Sequence, residues 1–477
     1  MKQILILFIN LTLMAGCSSS KKAITANKPN VLFIAVDDLN DWAGYMGNNQ
    51  IITPNMDALA SQGIFFNSAH CQYAVCGPSR ASVMSGMYYH SLGFGTEGSI
   101  QRKDEEIVNA AKKKGSSLVY EYFADNGYKT MAAGKLLHHH VPEETVDVSN
   151  GRGSWDFNLD ENGKKKRLNW FGSKGLLDWG PINKPEEEMS DYKAAEWAVD
   201  QLSQEHDKPF FLMTGFLRPH TPLYIQQKYL DMYPLDEIEL PPYKEDDYND
   251  IPKAAKEVWN SYPDVPWAIK NKQWRKIVQA YMACITFTDA QIGKILEALE
   301  NSPYRDNTLV VLWSDHGFHM GEKSRFQKHT AWDRSTKVPL IIKDPRSKST
   351  KNLPKQIEAN VQLIDLYPTL LELCGLPENK KVEGRSLVPL MENPDLKWEY
   401  PAYTFRRGKY ATVKYGSYRF TEYFDGSREL YNLENDPNEW NNLVHSNNDK
   451  YKEIIEQMHQ LLQKPDVVLG YQESKQR

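Results

Sequence analysis

The chain has 477 residues and a formal net charge of -5, a balance that offers nucleic acid no electrostatic footprint, and no long basic run supplies one. Its 41% hydrophobic and 25% charged content is that of a soluble globular protein, and its length calls for two packed units rather than one minimal core. Aromatic residues make up 12%, with 12 Trp and 26 Tyr, enough for large aromatic cores or for carbohydrate-stacking surfaces.

The N-terminus reads as a targeting segment. Lys2 precedes the apolar run Ile4 to Ile9, and Leu13-Met14-Ala15-Gly16-Cys17 closes it. The run is too short to span a bilayer and fits a secretory signal, with an uncleaved signal anchor as the alternative. The small residues before Cys17 resemble a bacterial lipobox. On that reading residues 1–16 are a lipoprotein signal peptide and 17–28 a tether on a lipid-modified Cys17. The protein is then an exported bacterial lipoprotein, periplasmic or anchored at the outer membrane or cell surface. Of the five cysteines, Cys17 is assigned to lipid and Cys76 to chemistry. Cys71, Cys284 and Cys374 remain, an odd set that cannot pair completely, and the last two sit on apolar stretches as buried thiols.

Asn30 to Val36 is a continuous apolar run, as expected of a strand buried on both faces of a parallel sheet. Asp37-Asp38 follow, adjacent carboxylates that need a metal cation or a solvated loop. Thr53-Pro54 reads as a cap and first helical residue, with Gly63 after the helix. Next comes Cys76-Gly77-Pro78-Ser79-Arg80. The proline suits a first helical turn, and Gly86 can stop the helix. Thiol, free helix N–H groups and Arg80 converge on a spot suited to a tetrahedral anion. The alternative is a buried cysteine beside an ordinary turn.

Leu118 to Asp125 looks helical, and Gly127 to Lys135 reads as a turn and a second strand. The triplet His138-His139-His140 suggests zinc by composition, but adjacent side chains point in different directions. Trp155 to Lys184 reads as an irregular surface segment and Met189 to Gln204 as an amphipathic helix. Phe210 to Phe216 is a third buried strand, ending in Arg218-Pro219-His220. Pro234 to Pro266 suggests a long loop over a site, and Trp274 to Leu299 a long helix. Thr308 to Trp313 is a fourth strand, followed by Ser314-Asp315-His316-Gly317. Val338 to Ile342 is a fifth, leading to a helix through Leu363 to Tyr367. From Pro377 the runs become short and strand-like, with Asp425-Gly426 as a hairpin turn and a helix over Lys450 to Leu462.

The fold class expected is α/β: a large mixed, mostly parallel sheet sandwiched by helices over 29–376. A smaller C-terminal α+β domain with an antiparallel sheet follows over 377–477. Four predicted strands end in polar groups, and open α/β sheets place their sites outside the carboxyl ends of strands. Asp37, Asp38 and Asp315 are hard oxygen ligands suited to calcium or magnesium. Arg80, Lys135 and Lys328 neutralise a multiply charged anion, and His138 and His220 are proton donors or anion binders. Together they describe metal-assisted hydrolysis of an anionic ester.

These residues resemble the type I sulfatases of the alkaline phosphatase superfamily. Cys76 to Arg80 match the motif whose cysteine becomes formylglycine, and Gly127 to Lys135 is similar to the second signature. Val31 to Asp38 and Asp315-His316-Gly317 resemble the metal-binding strand ends. The resemblance runs from about Asn30 to Leu443, including Glu429 to Leu433 and Asp436-Pro437. His316, beside the metal aspartate, is similar to the iduronate-2-sulfatase-like subgroup. The resemblance implies calcium held by Asp37, Asp38, Asp315, His316 and the modified Cys76. It implies a hydrated formylglycine whose one hydroxyl attacks sulfur, favoured by Arg80, and whose other expels sulfate. Lys135, His138, His220 and Lys328 would bind sulfate oxygens, one of them protonating the leaving alcohol. Ser85, Leu137 and the nitrogen ligand His316 depart from the usual pattern.

Implied partners are a formylglycine-generating enzyme or maturase and a sulfated oligo- or polysaccharide. Algal glycans (ulvan, carrageenan, fucoidan) and glycosaminoglycans both fit. Arg218 is a further candidate for substrate binding, as are Arg406 and Arg407, which bind a uronate or second sulfate or form a solvated basic turn. The rival readings are a phosphonate or phosphate ester hydrolase of the same superfamily and an inactive glycan-binding lipoprotein.

Overall fold

The computed structural model describes residues 28–94, 102–172, 176–258, 263–346, 356–406 and 408–463. The proposed signal, Cys17 and the tether as far as residue 27 lie outside them, as does Arg407.

Eight strands form the central sheet: β1 (Asn30–Val36), β2 (Ile64–Phe66), β3 (Lys129–Gly134), β4 (Val148–Ser149), β5 (Phe210–Phe216), β6 (Thr308–Ser314), β7 (Leu340–Lys343) and β8 (Gln356–Ile357). Their spatial order is β8-β2-β7-β6-β1-β5-β3-β4. β1 lies at the centre, parallel to β5 and β6 in registers Val31↔Phe211 and Val31↔Leu309. β3 extends the parallel set beyond β5, and β7 runs antiparallel to β6, so the sheet is mixed but mostly parallel.

Every β1 residue is buried because both faces are covered. Leu32, Ile34 and Val36 point into one core with α1 (Pro54–Gln62), while Val31, Phe33 and Ala35 point into the other with α2 (Cys76–Ser85). The core of Leu32, Ile34 and Val36 is walled further by α3 (Ser190–Ser203) and α4 (Trp274–Glu300). On α4, Ile277, Tyr281, Ile285, Ile292, Ile295 and Leu299 recur at helical spacing and are buried. Burying each such side chain contributes about 1.5–3 kcal/mol, which pins the helix under the sheet. Among its described residues, the segment 234–266 carries short helical turns at Asp247–Asn249 and Lys253–Glu257 before a helix at Val265–Lys270.

The C-terminal sheet is an antiparallel meander of β9 (Ala402–Arg406), β10 (Tyr410–Tyr415), β11 (Tyr418–Tyr423) and β12 (Arg428–Asn432). Asp425-Gly426 turns β11 into β12, with Gly426 at φ 83, in the left-handed region that favours glycine. Period-two alternation separates its faces. Val413, Phe420 and Leu430 pack with the terminal helix Asp449–Leu462 through Met458 and Leu462. Tyr410, Tyr423 and Tyr431 face the large sheet's loops and meet Ala331 and Trp332.

Candidate active site

Four strand ends and one helix start meet at a single point. Asp37 and Asp38 follow β1, Lys135 follows β3, Arg218 to His220 follow β5, and Asp315-His316 follow β6. Cys76 is the first residue of α2, in which all ten residues are buried, and Gly86 ends the helix at φ 66. Pro78 lies in the first turn, where its missing N–H is not needed.

The thiol sits among charges. Lys328 Nζ is 3.2 Å from Cys76 Sγ and 2.5 Å from Asp38 Oδ1, and His316 Nε2 is 3.3 Å from the sulfur. Arg80 reaches forward from the same helix. Its Nε donates to Asp315 Oδ2 at 2.8 Å, its NH2 lies 3.4 Å from Asp37 Oδ1, and its NH1 donates to Lys135 O at 2.6 Å. The Lys135 ammonium pairs with Asp37 Oδ2. Ser79 Oγ donates to Asp315 O at 2.5 Å, tying the helix start to the β6 end. Gly134 and Gly215 let these strand ends close up, since a Cβ on either would strike the neighbouring backbone carbonyl.

Two overlapping sets of ligand atoms, from Asp37, Asp38, Cys76 and His220 and from Asp37, Cys76, Asp315 and His316, each lie within 4.8 Å of one another. Asp38 Oδ2 is buried and makes no hydrogen bond. Asp37, Asp38 and Asp315 balance the charges of Arg80, Lys135 and Lys328. A divalent cation added there leaves net positive charge for an anionic substrate, so this donor set fits a hard metal ion.

Comparison with known proteins decides the family. The sulfatase family profile matches residues 29–376, and the C-terminal profile of N-sulphoglucosamine sulphohydrolase matches 321–467. The chain belongs to the sulfatase family. A sulfatase of Formosa agariphila is 41% identical, with 97% of this chain and 92% of that one covered. Human iduronate 2-sulfatase is 30% identical over 78% of this chain and 74% of its own length. A protein solved in complex with D-glucosamine-2-N,6-O-disulfate is 21% identical, has a TM-score of 0.71 and covers 92% of this chain and 99% of that one. The fold is therefore the alkaline phosphatase-like one, and the enzyme is a sulfuric ester hydrolase of the class that uses formylglycine and a divalent metal.

Electrostatics divide the sulfatase pocket's groups. Burial raises the Cys76 thiol well above the usual range, with Asp37 adding to it. Burial also raises Asp38 despite Lys328. Burial acts the same way on Asp37, but Lys135, His220 and Arg80 outweigh it and hold that carboxyl well below its ordinary value. For Lys328 burial is overcome by Asp38, Cys76 and Asp37, so its ammonium is strongly retained. Burial and Lys135 push His138 down to about 3, and burial and Lys328 hold His220 well below its usual value.

The three histidines of 138–140 separate. His138 keeps a buried Nδ1 without a hydrogen bond, while His139 is exposed beside Asp104. His140 is used up between Gly134 O and Ser149 Oγ. His220 Nδ1 contacts Thr221 O at 2.6 Å, which leaves Nε2 facing Asp38 Oδ2 at 3.9 Å.

Two sequence expectations need correcting. Arg218 is 1% exposed, with Nε, NH1 and NH2 facing the carbonyls of Tyr224, His220 and Asp156 at 3.1, 3.4 and 3.0 Å. It braces the loop behind His220 rather than facing substrate. Arg406 is also buried and donates to His329 O at 3.0 Å, behind the Lys328 loop, so it is not part of a solvated turn. Sequence reading passed over Asp191, which accepts the N–H groups of Leu217 and Arg218 at 2.7 and 2.8 Å. It also passed over Trp155, whose ring centroid is 5.0 Å from that of His220. The signal for Trp155 was slight: an aromatic close after Gly151-Arg152-Gly153 in a stretch without periodicity.

Proposed function

We propose that this sulfatase is a lipid-anchored, exported enzyme that removes sulfate from the sugars of a sulfated polysaccharide or its oligosaccharides. The observation that carries the reading is the convergence of Arg80, Lys135, Lys328, His138 and His220 on Cys76 beside three aspartates. The names of the relatives support a sulfated sugar as substrate. Lys2, the apolar run after it and the small residues before Cys17 support export and lipid attachment, and no helix among the described residues is long and apolar enough to cross a membrane. The chain divides into a catalytic unit over 29–376 and a smaller unit over 377–477.

Calcium would be held by the oxygens of Asp37, Asp38 and Asp315 with His316 as a nitrogen neighbour, and its charge would favour an anion at the same point. Formylglycine made from Cys76 by a dedicated converting enzyme would supply a hydrated aldehyde, one hydroxyl to attack sulfur and a second to release sulfate. Arg80 holds Asp37 and Asp315 in place and adds positive charge at the helix start. The Lys328 and Lys135 ammonium groups draw the sulfate oxygens into the pocket and stabilise the charge that builds up during transfer. His138 and His220 present neutral ring nitrogens, and an arriving anion raises their proton affinity, as a donor to the leaving alcohol requires.

Mass spectrometry of the Cys76 peptide from active enzyme should reveal an aldehyde in place of the thiol. Sulfate should be released from a panel of sulfated oligosaccharides. Turnover of phosphonate monoesters with no sulfate released from any glycan overturns the reading in favour of a phosphonate hydrolase. Glycan binding without any turnover, with the thiol intact, overturns it in favour of a binding protein. Full activity in Cys76→Ala refutes the nucleophile.

A further inference from the structure

At the mouth of the pocket stands an arginine that the sulfate chemistry does not use. Arg152 is half-buried, forms no ion pair among the described residues, and has one long hydrogen bond, from Nε to Gly153 O at 3.4 Å. A guanidinium partly withdrawn from water without a counter-charge is costly unless an anion completes it.

Its placement is fixed from both sides. Gly134 N donates to Gly151 O at 2.8 Å, and Asn150 N donates to Ala132 O at 2.9 Å, so the segment before Arg152 is tied to β3, the strand that Lys135 follows. Beyond it, Arg218 NH2 donates to Asp156 O, and Ser190 N donates to Asp156 Oδ2 at 3.1 Å. Gly151 and Gly153 flank the arginine at φ 66 and 76, left-handed values that turn the chain on either side of it.

Arg152 rests on Trp155, with Cζ 5.0 Å from the ring centroid. The same indole has Lys135 Nζ 5.6 Å from its centroid and the His220 ring centroid at 5.0 Å. One indole is therefore shared by Arg152 and two residues of the sulfate pocket. Burial pulls the Arg152 guanidinium below its ordinary value, and the more distant Asp37 and Asp104 carboxylates offset this only in part.

We propose that Arg152, propped on Trp155, is a second anion-binding point of the cleft. It selects sulfated sugars that carry a further negative group, a carboxylate or a second sulfate, close to the ester that is cleaved. This rests on the sulfatase reading above and adds a substrate class to it. Trp155 is the positioning residue, and Arg152 makes the contact.

The test uses full-length enzyme and matched substrates. One pair is a sulfated uronate-containing disaccharide and its carboxyl-reduced counterpart. The other is a disulfated hexosamine and the same sugar lacking the sulfate that is not cleaved. Wild type should prefer the more anionic member of at least one pair, and which pair identifies the group. Arg152→Ala removes a charge-assisted hydrogen bond, so it should raise KM for that member roughly 10- to 100-fold, with a smaller change in kcat. The preference should collapse to within about threefold of parity, with partial recovery in Arg152→Lys. Thermal melting checks folding, and Arg152→Gln serves if the alanine variant is unstable. Wild type with no preference in either pair overturns the proposal, as does a preference unchanged in folded Arg152→Ala or Arg152→Gln. Wild type that releases sulfate from none of the four overturns the sulfatase reading itself, and the two failures are thereby told apart.

Discussion

Two loops bring basic groups to the same pocket, and they are held in opposite ways. The loop after β5, with His220, is braced from within the large unit. Asp191 on α3 accepts its first two N–H groups, Arg218 spans its carbonyls, and Thr288 on α4 donates to Arg218 O at 3.1 Å. The loop with Lys328 is strained. Lys323, Ser324, Gln327 and His329 all have φ between 53 and 86 without being glycine, at a cost of about 1 kcal/mol or more each.

The C-terminal sheet holds that strained loop down. Arg406 donates to His329 O, Tyr410 donates to Thr330 O at 2.8 Å, and Arg419 donates to Ala331 O at 3.3 Å. Glu429 accepts the Trp332 indole N–H at 2.8 Å. One wall of the pocket is therefore braced from within the large unit, whereas the other draws part of its support from the second sheet.

Removing the lysine itself breaks the comparison most severely. Lys328→Ala should lower kcat about 10²–10³-fold, the usual loss of one preorganised charge partner, in steady-state sulfate release. Breaking its support comes next. Arg419→Met strands the part-buried Asp333 and the buried Glu439, its partners at 2.5 and 3.5 Å. The expected loss is about 3–5 kcal/mol in denaturant unfolding, with amide exchange rising in 323–333 before 217–225. Equal exchange in both loops would mean that the supports are not separate.

The support should also depend on pH. Burial raises Glu429 to about 7, against Lys323 and Trp332. Because the folded pKa lies above the unfolded one, the folded state holds the extra proton. Stability is full below about 4.5 and declines as pH rises to about 7, by on the order of 3 kcal/mol. Glu429→Gln should remove that component, read as the difference between wild-type and variant unfolding curves across the window. Smallest of all, Tyr410→Phe removes one hydroxyl and should cost about 1 kcal/mol, with little change in kcat if Arg406 and Arg419 suffice.

Much of this arrangement was legible in the sequence, for a physical reason. A strand buried on both faces must be apolar throughout, so Asn30 to Val36 and Phe210 to Phe216 announce themselves, and the polar residues that end them mark one edge of the sheet. Cys76 to Gly86 carried its own start and stop. Arginines were less readable, because their fate depends on which carbonyls the fold brings near. Arg218 and Arg406 looked like substrate binders beside a site and are braces behind it. The short strands Val148–Ser149 and Gln356–Ile357 have no period of their own and form only because a neighbour's edge is there to pair with. Asp191 sits on a helix whose pattern reveals nothing of the loop it holds, and Trp155 lies in a stretch without periodicity.

The depth of Cys76 also imposes an order in time. The thiol is 2% exposed, and two of the groups that cover it, from His316 and Lys328, lie 240 and 252 residues downstream. On the proposed conversion to formylglycine, the converting enzyme would have to reach this cysteine while the chain is still open. At about 5–20 residues per second of synthesis, those later residues follow by roughly 10–50 s. Conversion and closure would then be in a race, and a chain that folded unedited would seal an ordinary thiol beneath a finished pocket.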